Sequence, residues 1–196
     1  VNRARTKVAE YHQLYPHRPG MPREELRSQI RPDLPSRYFT AILDYLGARN
    51  ETLVSERFVK ETTFVPHLNE RLQQIRSILL ERLDASGLEP PTPSELLRDV
   101  ASRANSSTEP VEEIIDLLAD QNKIARVSEK LIFSAKNIHA LERQVITFLE
   151  QNGEMTTPQL KELTGCSRKY TVPLGEYLDA KRITVRVGDA RKLRHG

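Results

Sequence analysis

Tryptophan is absent from the 196 residues, and six tyrosines with five phenylalanines leave the chain only 6% aromatic. Its cores must be filled mainly by Leu, Ile and Val, which suits small helical modules better than one large sandwich. A single cysteine, Cys166, excludes an intramolecular disulfide and points to a reducing, cytoplasmic compartment. Without a histidine pattern around it, Cys166 reads as an inert turn residue rather than a nucleophile. No stretch approaches the roughly 20 apolar residues of a spanning helix, so no membrane is expected, and the N-terminal segment is too charged for a secretory signal. Catalytic signatures are missing as well. There is no G-x-x-x-x-G-K-[ST], G-x-G-x-x-G or H-E-x-x-H motif and no Cys/His zinc spacing, so no enzyme, metal site or cofactor is expected in this chain. His12, His17, His67, His139 and His195 are scattered. The carboxylate pairs Glu24-Glu25 and Glu112-Glu113 stand at helix starts, where compensation of the helix dipole explains them.

Positive charge, by contrast, is concentrated. Residues 165–196 hold eight Lys/Arg against three Asp/Glu, a net of +5, whereas the whole chain is +3 and everything before residue 165 nets −2. A basic patch on a near-neutral body is the footprint of a polyanion-binding protein. On charge alone, a solvated basic tail explains it equally well.

The order of elements repeats. A helical pattern over Thr6–Leu14 ends at Tyr15-Pro16-His17-Arg18-Pro19-Gly20, and a second helix opens at Pro22 and runs through Leu26 to Ile30. Ser36 can cap a third helix built on Phe39, Ile42, Leu43 and Leu46, with Gly47 as its stop. Thr52-Leu53-Val54 and Phe58-Val59 then flank a short polar loop, as in a β-hairpin. Three helices followed by a hairpin is the order of a winged helix. It returns with a helix from Leu68 to Gly87, the break Pro90-Pro91-Thr92-Pro93, and again with Asn152-Gly153 and Thr157-Pro158. Leu46, Leu118 and Leu178 occupy equivalent places in the third helices, as do Arg126-Val127 and Arg186-Val187 in two wings. A period of 60–70 residues is too long for most solenoid units and fits tandem small domains. The fold class expected is mainly α with small β-hairpins: three tandem winged-helix domains, 1–66, 67–136 and 137–196, in an extended arrangement, each with its own minor core.

The repeats act as controls for one another, because the third helix of a helix-turn-helix module is the one that meets nucleic acid. The middle module opens that helix with Glu109-Pro110-Val111-Glu112-Glu113, which repels phosphate and marks a spacer. The last opens it with Arg168 and Lys169 after a Ser167 cap, where free N–H groups and the dipole favour an anion. The first, with Arg37 and Tyr38 after Ser36, is intermediate and a candidate secondary contact. Pro173 and Gly175 weaken the last helix, so its regular part is expected to begin near Thr171. A two-residue turn at Gly188-Asp189 sets Arg186 opposite Arg191, an unfavourable pair unless it clamps an anion. Tyr170 can stack on a base, although its spacing to Leu174, Tyr177 and Leu178 favours the core. Lys181 and Arg182 complement the helix dipole.

Ser167-Arg168-Lys169-Tyr170, Glu176-Tyr177-Leu178-Asp179 and Arg186-Val187-Gly188-Asp189-Ala190-Arg191-Lys192-Leu193-Arg194 resemble the C-terminal winged-helix region of the bacterial selenocysteine-specific elongation factor family, SelB. Tyr11-His12 with Arg18-Pro19-Gly20-Met21-Pro22-Arg23-Glu24-Glu25-Leu26 is similar to the family's second winged helix. The resemblance implies family modules two, three and four, following a GTPase and barrel domains that this chain lacks. It further implies that the last module binds the selenocysteine insertion (SECIS) hairpin of messenger RNA. The RNA-binding residues it points to are Arg168, Lys169, Tyr170, Arg186, Gly188, Arg191, Lys192 and Arg194. GTP and Mg would belong to the full-length factor, as would the ribosome and selenocysteyl-tRNA as partners. The family commonly has two adjacent arginines before Val-Gly-Asp, and here the first is Val185. A DNA-binding winged-helix regulator shares the fold and the patch, but it would dimerise on two half-sites, whereas three unlike modules suit a monomeric arm. A protein adaptor docking through the acidic middle module is a third reading.

Overall fold

The computed structural model describes residues 1–194, so His195 lies outside the described residues. The chain divides into two compact units, the first covering residues 1–73 and the second residues 74 onward. Among the described residues no helix is long and apolar enough to cross a membrane.

The first unit runs α1 (Asn2–Leu14), β1 (Met21–Pro22), α2 (Arg23–Ile30), α3 (Ser36–Ala48), β2 (Thr52–Val54) and β3 (Phe58–Glu61). Its antiparallel sheet has the order β1-β3-β2, with Met21 opposite Val59 and Thr52 opposite Glu61. Ala4, Val8, Tyr11, Met21, Leu26, Phe39, Leu43, Leu46 and Val59 make the core. Strand β1 is absent from the sequence reading because two residues cannot show alternation. Pro35, not Ser36, takes the N-cap of α3; Ser36 is its first helical residue and accepts a hydrogen bond from Arg27. Gly47 does not stop α3, which continues to Ala48 before Asn50 turns the chain with a φ of 54°. Asn tolerates that left-handed conformation better than most residues.

The chain enters the second unit along α4 (Glu70–Ala85) and continues through α5 (Pro93–Arg103), α6 (Thr108–Asp120), β4 (Ile124–Ser128), β5 (Leu131–Ser134) and α7 (Ala135–Asn152). Then follow β6 (Met155–Thr156), α8 (Thr157–Thr164), α9 (Arg168–Ala180), β7 (Thr184–Val187) and β8 (Ala190–Leu193). Thr92 with Glu95 and Thr156 with Gln159 form capping boxes that start α5 and α8, each satisfying two backbone donors a helix start would leave open. The three third helices, α3, α6 and α9, are each 13 residues long. Leu46, Leu118 and Leu178 are fully buried at the same place in each.

The wing of the middle module contributes to the core of the last one. Leu131 and Phe133 from the middle wing pack with Ile138, Leu141, Val145, Leu149, Met155, Leu160, Leu174 and Leu178. Small winged helices bury little surface alone, and side chains lent by a neighbouring wing raise the buried fraction. The side-chain amide of Asn137 on α7 donates to the carbonyls of Leu83, Asp84 and Gly87 at 3.0–3.2 Å, closing the end of α4. The Leu83 and Asp84 carbonyls also accept from the Ser86 hydroxyl and the Gly87 N–H, so the neighbouring module adds to the local capping of this helix end.

Candidate nucleic-acid interface

Helix α9 begins at Arg168, so Pro173 lies inside the helix as its sixth residue instead of in its first turn. The proline removes the hydrogen bond that would reach the Lys169 carbonyl. The buried hydroxyl of Thr171 reinforces the start by donating towards the carbonyls of Cys166 and Ser167, at 3.3 and 3.1 Å. Ser167 holds the N-cap position, but its side chain makes no capping bond. Its backbone N–H donates instead to the Glu89 carboxylate of the middle module at 3.1 Å. The negative group expected at this helix start is therefore partly supplied from within the chain. Cys166 and Tyr170 bind the same loop: the Cys166 thiol donates to the Leu88 carbonyl and the Tyr170 hydroxyl to that of Pro90. Burial pushes the Cys166 thiol up from its ordinary value and keeps it protonated, which agrees with an inert residue.

The wing has the expected register, with Arg186 opposite Arg191 and Val187 opposite Ala190. Gly188 takes φ 61° at the first turn position, and Asp189 is not in the left-handed region, as in a type II′ hairpin. The two arginines differ in what lies behind the strand. Arg191 is buried, and its Nε donates to both carboxylate oxygens of Asp179, at 3.2 and 3.0 Å. Asp179 offsets one of the two like charges, which is how the pair is tolerated.

Between the starts of α8 and α9 and the wing lies a cleft of about 550 Å³, bordered by Thr157, Pro158, Lys161, Arg168, Thr171, Val172, Glu176, Arg186 and Arg191. Lys161, Arg168 and Arg186 come from three different elements and are all exposed. Among the described residues none of the three carries an ion pair. Arg186 Nε is instead directed by a 3.1 Å bond to the Gly188 carbonyl. The cleft unites only part of the expected set. Lys192 stands on the other face of the wing opposite Val185, with its ammonium 3.7 Å from Glu154. Lys169 leans over the Tyr170 ring at 5.0 Å, and the half-buried Tyr170 is directed to Pro90, in keeping with a packing role. Arg194 is exposed beyond β8, where its N–H donates to the Ile183 carbonyl. Lys161 was missed in the sequence. The repeat carried a signal for it, because Arg27 stands at the corresponding place on α2 and Leu97 on α5.

Charge separates the modules. Residues 67–136 carry twelve acidic and nine basic side chains, and residues 137–196 carry seven acidic and ten basic. In the first unit a comparable cleft is bordered by Arg23, Arg27 and Arg57 together with Glu24 and Glu56, and Arg27 is spent on Glu24 at 2.7 Å.

Models for the winged helix of elongation factor SelB match the chain twice, that for the second winged helix over residues 5–60 and that for the third over residues 147–193. The chain is 27% identical over 187 residues to a selenocysteine-specific elongation factor of Desulfomicrobium baculatum, covering 95% of this chain and 29% of that protein. It is similar in structure to the mRNA-binding domain of elongation factor SelB from E. coli in complex with SECIS RNA. There the TM-score is 0.51 at 20% identity, over 65% of this chain and all of that one. Against bacterial selenocysteine-specific EF-Sec the TM-score is 0.52 at 22% identity, over 97% of this chain and 28% of that one. The chain thus spans less than a third of the length of these full-length factors, and at such identities the structural likeness speaks for the fold. With SelB winged-helix matches at both ends that together take in just over half of its residues, the chain belongs to the SelB elongation-factor family.

Proposed function

We propose that the last winged helix, residues 137–196, binds the SECIS hairpin of a messenger RNA, and that modules 1–66 and 67–136 tether it to the GTPase and tRNA-binding parts of a longer factor. The convergence of Lys161, Arg168 and Arg186 on one cleft carries this reading. Three unneutralised cations from separate elements attract a folded phosphate backbone, which presents charge on several sides at once. The structure of the E. coli relative in complex with SECIS RNA supplies the kind of RNA. The acidic middle module is a spacer that keeps RNA off its own third helix. In this arrangement the chain binds and positions, and carries no catalytic step.

Fluorescence anisotropy on the whole chain, with a SECIS hairpin, a scrambled hairpin and duplex DNA at about 0.15 M salt, tests the proposal. The SECIS hairpin should bind about tenfold or more tighter than either control, on the scale by which each specific contact discriminates. Arg168→Ala and Arg186→Ala should each weaken it and make the salt slope shallower by about one unit. Equal affinity for all three ligands refutes the reading, and a preference for duplex DNA favours a transcriptional regulator.

A further inference from the structure

The three winged helices place three positions in register. In the eighth residue of the third helix stand Leu43, Ile115 and Gly175; in the twelfth stand Gly47, Ala119 and Asp179. On the second wing strand, opposite Val54, Arg126 and Arg186, stand Val59, Ile132 and Arg191. In the first two modules the eighth helix residue and the strand residue are both apolar and buried. In the last module all three positions differ together. The arginine is only 7% exposed, and its guanidinium fills the space where a side chain on position 175 would begin: a Cβ on Gly175 would lie 2.8 Å from Arg191 Cζ. Asp179 takes the Nε bond and also the hydroxyl of the buried Thr184. In the first module, where Gly47 stands for Asp179, the matching hydroxyl of Thr52 is buried with no partner among the described residues.

A buried ion pair is a poor replacement for an apolar contact on grounds of stability alone. Its use is visible in what it leaves open. Among the described residues Nη1 and Nη2 of Arg191 have no protein acceptor, and Arg191 borders the cleft between Arg168 and Arg186. We propose that Gly175, Asp179 and Arg191 form a built-in binding fork. Gly175 makes room, Asp179 orients the guanidinium through Nε, and Arg191 offers its two terminal nitrogens to paired acceptors of an RNA bound in the cleft. Such acceptors are two phosphate oxygens or the O6/N7 edge of a guanine. Arg191 is then a binding residue, and Gly175 and Asp179 are positioning residues. The identity of the ligand rests on the RNA reading above.

Giving the last module the residues of the middle one, Gly175→Ile with Asp179→Ala and Arg191→Ile, tests the fork in the whole chain. Hairpin affinity should fall about ten- to a hundredfold, the value of one bidentate contact, while the melting temperature stays at or above wild type. Arg191→Lys, which keeps the charge and loses the fork, should lose affinity as well. A salt slope shallower by about one unit identifies phosphate, and an unchanged slope with lost discrimination identifies a base. Wild-type affinity in the triple variant overturns the proposal. Should that variant not fold, the guanidinium ¹⁵N resonances of Arg191 in the wild-type chain decide. They should shift with GMP alone if a base edge is bound and with both GMP and inorganic phosphate if a phosphate is bound. Immobility with both ligands overturns the fork whether or not the hairpin binds. A shift with GMP in a chain showing no hairpin preference keeps the fork and refutes the SECIS reading.

Discussion

Replacing Gly175 by alanine sets two effects of opposite sign against each other. In an unobstructed helix interior the change stabilises by roughly 1 kcal/mol, because alanine loses less backbone entropy. Here the new Cβ would stand 2.8 Å from Arg191 Cζ and 2.9 and 3.0 Å from its terminal nitrogens. Carbon contacts relax only near 3.5 Å, so the guanidinium must retreat by roughly 0.7 Å. Its Nε bonds to Asp179, now 3.0 and 3.2 Å, would stretch past useful length. Loss of a hydrogen bond between charged groups costs about 1.5–3 kcal/mol, and the lower end applies because a quarter of the Asp179 side chain meets solvent. The expected net is a destabilisation of about 0.5 kcal/mol, lowering the melting temperature by about 1–2 °C. Urea and thermal unfolding followed by circular dichroism measure it. The same substitution in an Arg191→Met background should regain the helix benefit and stabilise, since the obstruction is gone. An alanine variant that melts above wild type with Arg191 in place would refute the placement of the guanidinium over Gly175.

Two further outcomes follow from groups in both units. Burial holds the His12 imidazole below its ordinary value of 6.5, against the opposing hydrogen bond to Glu61. The unfolded chain then takes up a proton near pH 6.5 that the folded unit resists, so the stability of the first unit should fall as pH drops through that value. Melting curves from pH 7.5 to 5 should show His12→Gln less sensitive than wild type, and equal sensitivities would contradict the assignment. Cys166 is buried with a raised thiol pKa, so iodoacetamide should modify it only as fast as the second unit opens. Rapid labelling under native conditions would show that the contact with the Leu88 loop does not hold.

Much of the fold was legible because winged helices are local objects. Pro22, Thr92 and Pro158 mark helix starts, apolar residues recur at helical spacing, and Gly188-Asp189 forces a two-residue turn. Leu46, Leu118 and Leu178 aligned the three modules before any contact was known. Strand β1 escaped because it is two residues long, and the start of α9 was misplaced because Pro173 was read as a first-turn residue. Within the interface, Arg168 and Arg186 could be found from charge and position, since exposed cations on a helix start and a wing need no tertiary context to be noticed.

The sequence by itself determined the modules, their order, and which end is basic. Only the tertiary structure decided which cations act together. It added Lys161 from a helix that sequence reading had left aside, turned Lys192 to the other face of the wing, and directed Tyr170 to the neighbouring module with Lys169 over its ring. It also showed Arg191 held against Asp179 over a glycine that had looked like a defect. The reason is physical: periodicity is a property of neighbours along the chain, whereas the field at a cleft depends on which charges are already paired. That pairing is made between residues that only packing brings together.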